Sequence, residues 1–190
     1  MDRLETYALK NNIPIMQKDG ILFLIDYIKN YKINTILEIG TAIGYSAINM
    51  ALINENIQII TIERDKERYE EAMKNIARFG LEKQIKVILG DALEIGVTGK
   101  FDLIFIDAAK AQYIKFFEKY KVNLNEHGVI ISDNLNFHGL TQKPEAITSK
   151  NLRALVTKIN KYKDFLKNNA EFKTSFLDIG DGLAISKKVD

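Results

Sequence analysis

The stretch Leu37-Glu38-Ile39-Gly40-Thr41-Ala42-Ile43-Gly44-Tyr45-Ser46 decides the fold of this 190-residue chain. An apolar run, Ile36 to Ile39, enters a turn that contains two glycines, and a helical pattern leaves it. Such a strand–turn–helix directs backbone N–H groups at a ligand and is typical of nucleotide-type sites. The glycines lie four positions apart, whereas a dinucleotide fingerprint has the spacing Gly-x-Gly-x-x-Gly. The turn therefore predicts a nucleotide-type ligand without deciding which one.

An acidic residue supports this interpretation. Glu63 follows the next apolar run, Gln58 to Ile62. A carboxylate in that place can accept hydrogen bonds from both ribose hydroxyls of an adenosine, and it is expected about 20 residues after the turn. The turn and Glu63 together predict a site for an adenosine-containing ligand.

Composition limits the class of protein. The 46% hydrophobic and 27% charged content is ordinary for a soluble globular chain, and the length suits one domain, residues 1–190. There is no run of 18 apolar residues and no signal-peptide core at the start, so the expected compartment is the cytoplasm. The absence of cysteine excludes disulfides, thiolate zinc sites and a cysteine nucleophile.

Helical and strand patterns alternate along the first two thirds of the chain, as in a parallel sheet covered on both faces. The predicted strands are Thr35–Ile39, Gln58–Ile62, Ile85–Leu89, Phe101–Ile106 and Gly128–Ser132. The predicted helices are Asp2–Lys10, Lys18–Tyr31, Ser46–Ile53, Lys66–Phe79 and Ala111–Tyr120.

The pattern changes after Ser132. Asp133–Ser149 reads as a long loop, and an amphipathic helix, Asn151–Lys167, follows it. Two short strands, Glu171–Leu177 and Leu183–Ser186, are joined by a turn with Asp-Gly, which is a strong hairpin signal. A parallel sheet closed by an antiparallel pair is the architecture of class I methyltransferases, and dehydrogenases lack that hairpin. We therefore predict an α/β, Rossmann-like fold with a seven-stranded, mostly parallel sheet and a C-terminal antiparallel hairpin.

Polar side chains follow three further strands. Asp91-Ala92 could meet an adenine amino group, Asp107 follows the fourth strand, and Asp133-Asn134 follows the fifth. Ligands bind outside the carboxyl ends of parallel strands, so these residues should converge. Asp107, Asp133 and Asn134 offer only hard oxygen ligands, which suit Mg²⁺ or Ca²⁺. A single acid at a strand end is more often a turn residue, but two acids and an amide that converge at neighbouring strand ends predict a metal site.

A candidate base accompanies these acids. Lys110 lies three residues after Asp107 and faces the same cleft if a helix starts there. A lysine beside a divalent cation loses its proton more readily because like charges repel, and it can then accept a proton from a substrate hydroxyl. His127 is predicted to lie in a turn with a structural role, and His138 lies in the long loop, where it could touch a substrate.

The net charge is only +2, but its distribution is uneven. Between residues 143 and 173 there are eight basic residues and three acidic ones. The basic residues are Lys143, Lys150, Arg153, Lys158, Lys161, Lys163, Lys167 and Lys173. Such a face can bind a phosphate backbone, although a solvated helix face has the same composition, and the sequence leaves both readings open.

Three motifs resemble those of the cation-dependent O-methyltransferases, a family that includes catechol and caffeoyl-CoA methyltransferases. They are Glu38–Ser46, Phe105-Ile106-Asp107-Ala108-Ala109-Lys110 and Asp133–Gly139. The resemblance implies S-adenosyl-L-methionine as methyl donor and Mg²⁺, or Ca²⁺ or Mn²⁺ in its place, on Asp107, Asp133 and Asn134. Lys110 would be the base. The implied donor contacts are Met16, Gly40, Tyr45, Ser46, Glu63, Asp91, Ala92 and Asp107.

Within this family the chain is most similar to bacterial tRNA 5-hydroxyuridine methyltransferases, through Asn151–Val156 and Gly180–Leu183. This closer resemblance implies tRNA as substrate, at the wobble uridine of the anticodon region, no membrane partner, and a homodimer. The chain begins close to Pro14-Ile15-Met16, so an N-terminal helix common in the family is expected to be short or missing, which leaves a more open cleft. Two alternatives remain: a catechol-type enzyme for small phenols, and a non-catalytic module that binds S-adenosylmethionine.

Overall fold

The computed structural model describes residues 2–137, 139–141 and 147–189. Within these residues seven strands form one sheet in the order β3-β2-β1-β4-β5-β7-β6. Strands β1 to β5 are parallel, and β7 runs antiparallel to both β5 and β6. The strands are β1 Thr35–Ile39, β2 Gln58–Glu63, β3 Ile85–Leu89, β4 Phe101–Ile106, β5 Leu124–Ser132, β6 Phe172–Leu177 and β7 Leu183–Lys188. The predicted sheet and its C-terminal hairpin are confirmed.

Helices cover both faces of the sheet. They are α1 Asp2–Lys10, α2 Lys18–Tyr31, α3 Tyr45–Ala51, α4 Lys66–Arg78, α5 Tyr113–Tyr120 and α6 Lys150–Lys167. Alternate residues of the central strands point to opposite faces. Phe105 packs in one core cluster with side chains of α2 and α3, and its neighbours Ile104 and Ile106 pack in the other with α5 and α6. The near-continuous apolar strands thus follow from burial on both sides.

Two local predictions need correction. Strand β5 begins at Leu124, because that residue pairs with Phe101 before a register shift in β4. His127 therefore lies in a strand with its side chain exposed, and the prediction that it lies in a turn is wrong. The helix predicted to start at Ala111 is preceded by a 3₁₀ turn, Lys110–Gln112, and the α-helix begins at Tyr113.

The predicted loop after β5 is confirmed where the structure describes it. Residues 133–137, 139–141 and 147–149 belong to no helix or strand. His138 and Lys143, which were candidates for substrate or phosphate contacts, lie outside the described residues. Across the described residues no helix is both long enough and apolar enough to span a membrane.

Candidate active site

A cavity of about 410 Å³ lies at the carboxyl ends of the parallel strands, where α/β sheets bind ligands. Nearly all residues predicted from the sequence line it, and Asp133 is the exception. The lining includes Met16, Gly40, Tyr45, Ser46, Glu63, Asp91, Ala92, Asp107, Lys110 and Asn134. The structure thus brings together residues from both ends of the chain. Their individual roles remain predictions.

The glycine turn approaches the end of β4 closely. Gly40 has φ +102°, and a Cβ atom there would lie 2.1 Å from the carbonyl oxygen of Asp107. Only glycine fits this place, because any side chain would collide with backbone. Gly44 also has a positive φ, +85°, immediately before α3. These two glycines allow the turn between β1 and α3 to take the backbone conformation that it needs beside the cavity.

Glu63 holds the turn as well as facing the cavity. Its Oε2 accepts a hydrogen bond from the Ala42 backbone N–H at 2.8 Å, and its Oε1 accepts one from the Asp65 N–H at 2.9 Å. Each carboxylate oxygen has two acceptor positions, so each keeps one for a ligand. The side chain is only 6% exposed. It is therefore held in place before any ribose could bind.

The other wall of the cavity comes from the N-terminal segment. Met16 is buried and packs against Gly20, and Pro14 and Ile15 line the cavity beside it. Tyr45, also buried, donates its hydroxyl hydrogen bond to Glu5 of α1 at 2.8 Å. The predicted first helix is present as α1, with nine residues, and through Glu5 it holds a residue of the cavity wall.

Beneath this wall lies a buried acid for which the sequence pattern predicts no role. Glu38 is completely buried and accepts hydrogen bonds from the hydroxyls of Ser46 and Thr61. Thr61 in turn shares a 2.6 Å hydrogen bond with Thr41. Burial raises the pKa of Glu38 to about 8, against the lowering effect of its two hydrogen bonds. Thr61 comes from β2, so only the fold could reveal this network.

At the opposite end of the cavity the predicted metal ligands meet. The side-chain Nδ2 of Asn134 donates to Oδ1 of Asp107 at 2.9 Å, and the Asn134 N–H donates to Oδ1 of Asp133 at 2.6 Å. Asn134 has φ +64°, a left-handed conformation that costs energy and aims its amide at Asp107. The geometry leaves the Asn134 amide oxygen and carboxylate oxygens of both acids as candidate ligand atoms.

The electrostatics of this end suit a cation. Burial raises the pKa of Asp133 to about 8, and the nearby charge of Asp107 acts in the same direction. The pKa of Asp107 is also raised, by burial above all, while Lys110 opposes the rise. Buried Asp181 adds a third negative charge that raises both. The buried carboxylate of Asp133, the half-buried carboxylate of Asp107 and an amide oxygen form a hard donor set that fits Mg²⁺.

This set is small for a complete metal site. Among the residues that the structure describes, no three His, Cys, Asp or Glu side chains are arranged to hold a metal ion. A cation on Asp107, Asp133 and Asn134 would therefore need further oxygens from water or substrate, as Mg²⁺ commonly does. The donor set fits an open cation site at which a substrate oxygen can bind.

Lys110 stands at the start of the 3₁₀ turn that follows β4. Its position places the ammonium at the cavity, where its charge acts on both Asp107 and Asp133. The sequence places Lys110 in the cleft only if a helix starts there; a 3₁₀ turn starts at Lys110, and the residue lines the cavity. Lys110 is thus the cationic side chain that faces the acid pair.

Several further lining residues were not predicted from the sequence. They are Pro14, Ile15, Thr41, Arg64, Arg68, Gln112, Phe116 and Leu155. Arg64 directly follows Glu63, so its position beside the nucleoside end could have been inferred. Leu155 could not, because it belongs to α6 and reaches the cavity only through the packing of α6 against the 3₁₀ turn.

Comparisons with known proteins agree with this geometry. The model of a family described as O-methyltransferase matches residues 1–189. The crystal structure of a candidate caffeoyl-CoA O-methyltransferase from Staphylococcus aureus superimposes with a TM-score of 0.95 at 39% identity, covering 99% of this chain and 91% of the other.

Two relatives of known activity add to the family comparison. A caffeoyl-CoA O-methyltransferase from Stellaria longipes is 28% identical over 85% of this chain and 71% of its own length. A catechol O-methyltransferase from Niastella koreensis is 40% identical over 53% of this chain and 48% of its own length. The chain therefore belongs to the O-methyltransferase family, the S-adenosylmethionine-dependent group that contains the caffeoyl-CoA and catechol O-methyltransferases.

Proposed function

We propose that this protein is a Mg²⁺-dependent methyltransferase that converts 5-hydroxyuridine to 5-methoxyuridine at position 34 of tRNA, with S-adenosylmethionine as methyl donor. The observation that carries the proposal is the position of α6. This helix supplies Leu155 to the cavity and carries exposed basic side chains, of which Lys158 lies one turn from Leu155. A polyanionic substrate long enough to extend from the cavity over α6 would therefore meet positive charge there.

The basic row is strongly one-sided. Lys150, Arg153, Lys158 and Lys161 are all exposed, and at 100° per residue Lys150 and Lys161 lie opposite the buried Val156 and Ile159, with Arg153 and Lys158 on either side of them. Asp164 is the one acidic residue of the helix. Within the described part of the chain no ion pair involves α6. Unneutralised lysine and arginine at an open cleft favour a polyanionic substrate such as RNA.

The donor end of the cavity suits S-adenosylmethionine. Glu63 is fixed as an acceptor for ribose hydroxyls, and Asp91 is fixed at the adenine side by the hydrogen bond from the Leu93 N–H at 2.8 Å. When bound, this donor supplies a methyl group on a sulfonium. Met16 and Tyr45 are buried residues of the cavity wall and would shield a bound donor from water.

The acceptor end suits a hydroxyl that must lose a proton. Asp107, Asp133 and Asn134 would hold the cation, whose charge would favour loss of the proton from the acceptor hydroxyl and from the Lys110 ammonium. Neutral Lys110 takes the hydroxyl proton at Nζ. The oxygen then forms a bond to the methyl carbon as the carbon–sulfur bond breaks, and S-adenosylhomocysteine leaves. The walls contribute by holding the two reactants in contact.

A uridine inside a folded tRNA must leave its stack to reach such a cavity. The wobble position lies in a loop, where unstacking costs little. Leu155 and Phe116 give the cavity an apolar lining against which a flipped base can pack. Phosphates flanking that base would lie along the exposed face of α6. These features support an anticodon-loop substrate.

The second candidate is a small phenol. It is favoured by the names of the relatives, which include caffeoyl-CoA and catechol enzymes. A catechol needs only the cation set and Lys110, and it makes no use of the charge on α6. Its turnover should therefore hardly change with salt, whereas tRNA binding should weaken steeply as salt rises.

The experiment compares the two substrates directly. Purified protein with Mg²⁺ and labelled S-adenosylmethionine is offered tRNA that carries 5-hydroxyuridine, tRNA that lacks it, and catechol. We expect methyl transfer to the first alone, lost on chelation. In cells that lack the protein, 5-methoxyuridine in tRNA should disappear, and an unchanged level would overturn the proposal. Binding of S-adenosylhomocysteine without any transfer would favour the non-catalytic module.

A further inference from the structure

Helix α5 begins and ends with a buried tyrosine, and the proposed chemistry uses neither of them. Tyr113 and Tyr120 are each 1% exposed. They are seven residues apart, so at 100° per residue they lie on nearly the same face of the helix, about 10 Å apart along its axis. A buried phenol hydroxyl needs a hydrogen-bond partner. The partners of these two hydroxyls lie at opposite ends of the cavity.

At the acceptor end, Tyr113 holds the backbone of a candidate cation ligand. Its hydroxyl donates to the Asp133 carbonyl oxygen at 3.1 Å, since a carbonyl can only accept. The Asp133 N–H donates to the Ile106 carbonyl oxygen at 3.1 Å, and Oδ1 of Asp133 accepts from the Asn134 N–H. The tyrosine hydroxyl therefore completes a set of hydrogen bonds that fixes where the Asp133 carboxylate lies.

Tyr113 also directly follows the turn that carries the candidate base. Lys110 lies three residues before it, at the start of the 3₁₀ turn Lys110–Gln112. The Gln112 N–H closes this turn on the Ala109 carbonyl oxygen at 2.8 Å. The hydrogen bond from Tyr113 to Asp133 thus joins the segment of Lys110 to the strand end that carries the candidate cation ligands.

At the donor end, Tyr120 holds the turn that carries Asp91. Its hydroxyl points between the carbonyl oxygens of Ala92, at 2.6 Å, and Ile95, at 3.1 Å. The ammonium of Lys119 donates to the same two oxygens, at 2.8 and 2.7 Å. Ala92 lines the cavity, and the Ile95 N–H closes the turn on the Asp91 carbonyl oxygen at 2.9 Å. The last two residues of α5 therefore fix the backbone of this turn.

The helix between the two tyrosines is anchored along its length. Phe116 is buried and lines the cavity. Phe117 is fully buried, and its ring lies edge-on to the rings of Phe165 and Phe172, with centroids 5.4 and 5.0 Å apart. A close-packed aromatic face of this kind resists rotation and sliding of the helix. α5 is therefore a rigid element that contacts both ends of the cavity.

Methyl transfer depends on the distance between two bound reactants, and a rigid element tied to both binding regions can set that distance. We propose that Tyr113 and Tyr120 are positioning residues, through which α5 holds the strand end of Asp133 and the turn of Ala92 at a fixed separation. Neither tyrosine lines the cavity, and each acts through a backbone carbonyl. This inference rests on the proposed donor and cation sites and adds how the fold sets their separation.

Two tyrosine-to-phenylalanine variants test the two ends separately, because each removes one hydroxyl and keeps the ring. Tyr113→Phe should weaken Mn²⁺ binding about tenfold, as loss of a group that orients a metal ligand does, and leave S-adenosylhomocysteine binding within about twofold. Tyr120→Phe should weaken S-adenosylhomocysteine binding about threefold and leave Mn²⁺ binding within about twofold. Adding Lys119→Met to Tyr120→Phe should raise the loss of S-adenosylhomocysteine affinity to about tenfold or more.

The measurements keep affinity and rate apart. Mn²⁺ binding is followed by electron paramagnetic resonance with S-adenosylhomocysteine at saturation, and S-adenosylhomocysteine binding by calorimetry in a chelator. Single-turnover transfer to 5-hydroxyuridine tRNA, with S-adenosylmethionine and Mg²⁺ at saturation, should still be about tenfold slower in each variant, because the reactants are misplaced. Tyr27→Phe, at a buried tyrosine that does not line the cavity, is the matched control and should change neither affinity nor rate. Melting temperatures show that the fold is kept.

The results that would count against these claims are distinguishable. Equal losses of Mn²⁺ and S-adenosylhomocysteine affinity in either variant would mean a general loosening of the core and would overturn the inference. A full transfer rate at saturation in both variants would overturn it as well, and both results leave the proposed function intact. Should Tyr113→Phe not fold, Tyr120→Phe with and without Lys119→Met still decides by the same two criteria. Failure of the unaltered protein to bind S-adenosylhomocysteine or Mn²⁺ would instead overturn the proposed donor or cation site and the inference together.

Discussion

The two ends of the cavity are built on opposite principles. At the donor end, buried polar groups are satisfied by the protein itself: Glu63 accepts two backbone N–H groups, and Glu38 accepts two hydroxyls. At the acceptor end, burial disfavours ionisation of both Asp107 and Asp133, the charge of Asp107 adds to this effect on Asp133, and Lys110 is the cation that opposes it at both.

This difference indicates that the donor end is preorganised, whereas the acceptor end needs a bound cation to stabilise its negative charges. A satisfied network rigidifies its surroundings and holds its geometry without a ligand. A pair of buried like charges is costly and gains stability when a cation binds. We therefore expect substitutions at the donor end to disturb the fold and ligand affinity, and substitutions at the acceptor end to abolish turnover while the fold remains.

The largest effect should come from Lys110→Ala, at the acceptor end. Removal of a general base lowers the rate by about 10²–10⁴-fold. Because Lys110 is absent from the hydrogen-bond network of the donor end, affinity for S-adenosylhomocysteine should stay within about twofold. The measurement is single-turnover methyl transfer to 5-hydroxyuridine tRNA, together with calorimetric binding.

Lys115→Ala is the matched control for this prediction, since it removes an exposed lysine on α5 that does not line the cavity. It should leave the rate unchanged. If Lys110→Ala kept more than about a tenth of the rate, another group would have to accept the proton. If instead it lost S-adenosylhomocysteine binding, the separation of the two ends would be wrong.

The next effect tests the donor end. Gly40→Ala should lower the free energy of unfolding by about 3 kcal/mol or more, because its Cβ would collide with a backbone oxygen at 2.1 Å. Gly99→Ala is a close control: Gly99 has φ +100°, almost the φ of Gly40, but no atom lies within 4 Å of its Cβ position. Gly99→Ala should lower the free energy of unfolding by about 1 kcal/mol, which is the cost of the positive φ without a collision.

Urea unfolding of the two glycine variants measures this difference. The excess loss for Gly40→Ala over Gly99→Ala is the cost of the close approach between the turn and β4. Equal losses in the free energy of unfolding would mean that the turn can shift away from β4. The donor end would then be less rigid than its hydrogen bonds indicate.

Much of the molecule could be predicted from the sequence. The parts that could not be predicted have one cause in common. Strand ends such as Asp107 and Glu63 are marked by an abrupt change from apolar to polar residues, which local pattern reveals. The network of Glu38 joins β1 to Thr61 on β2, and Leu155 enters the cavity from α6. Those contacts depend on packing between elements distant in sequence, which periodicity does not encode.

His127 illustrates a different failure. The sequence Asn125-Glu126-His127-Gly128 has the composition of a turn, yet it lies within β5. A Cβ at Gly128 would lie 2.8 Å from the Leu124 side chain, so the glycine serves a tight irregularity in the strand. Turn composition and a strand irregularity use the same residue type, and local sequence did not separate them.

A smaller effect is expected outside the cavity, on the basic face of α6. Lys158→Glu with Lys161→Glu should weaken tRNA binding about tenfold or more and make its salt dependence shallower, by about 0.7–0.9 in logarithmic slope for each phosphate that the protein no longer neutralises. The control, Lys83→Glu with Lys86→Glu, makes the same charge change near β3, at the opposite edge of the sheet. It should leave the slope nearly unchanged.

Filter binding across a range of salt concentrations distinguishes the variants. An equal change in both pairs would mean that net charge alone governs binding and that α6 has no special part. Methylation of catechol, if any occurs, should be the same in both pairs, because a neutral phenol carries no phosphate for these lysines to bind.

The smallest effect returns to the donor end and concerns pH. With no ligand bound, Glu38 has a pKa of about 8 in the folded protein, against about 4.3 in an unfolded chain. Between these values the folded state keeps a proton that the unfolded state has lost. Stability therefore falls as pH rises from about 4.3 to about 8, and this group contributes no further change above that.

Comparison with Glu38→Gln isolates this contribution, because the glutamine does not titrate. The unaltered protein should lose its advantage in melting temperature over the variant as pH rises from about 4.3 to about 8, measured in a chelator and without ligand. Asp133, whose pKa is also raised to about 8, is present in both proteins. Its contribution to the pH dependence of stability therefore largely cancels in the difference between them. A constant difference across this range would mean that Glu38 does not change its protonation there. The hydrogen-bond network at the donor end would then keep a single charge state across this pH range, and it would differ still more from the acceptor end.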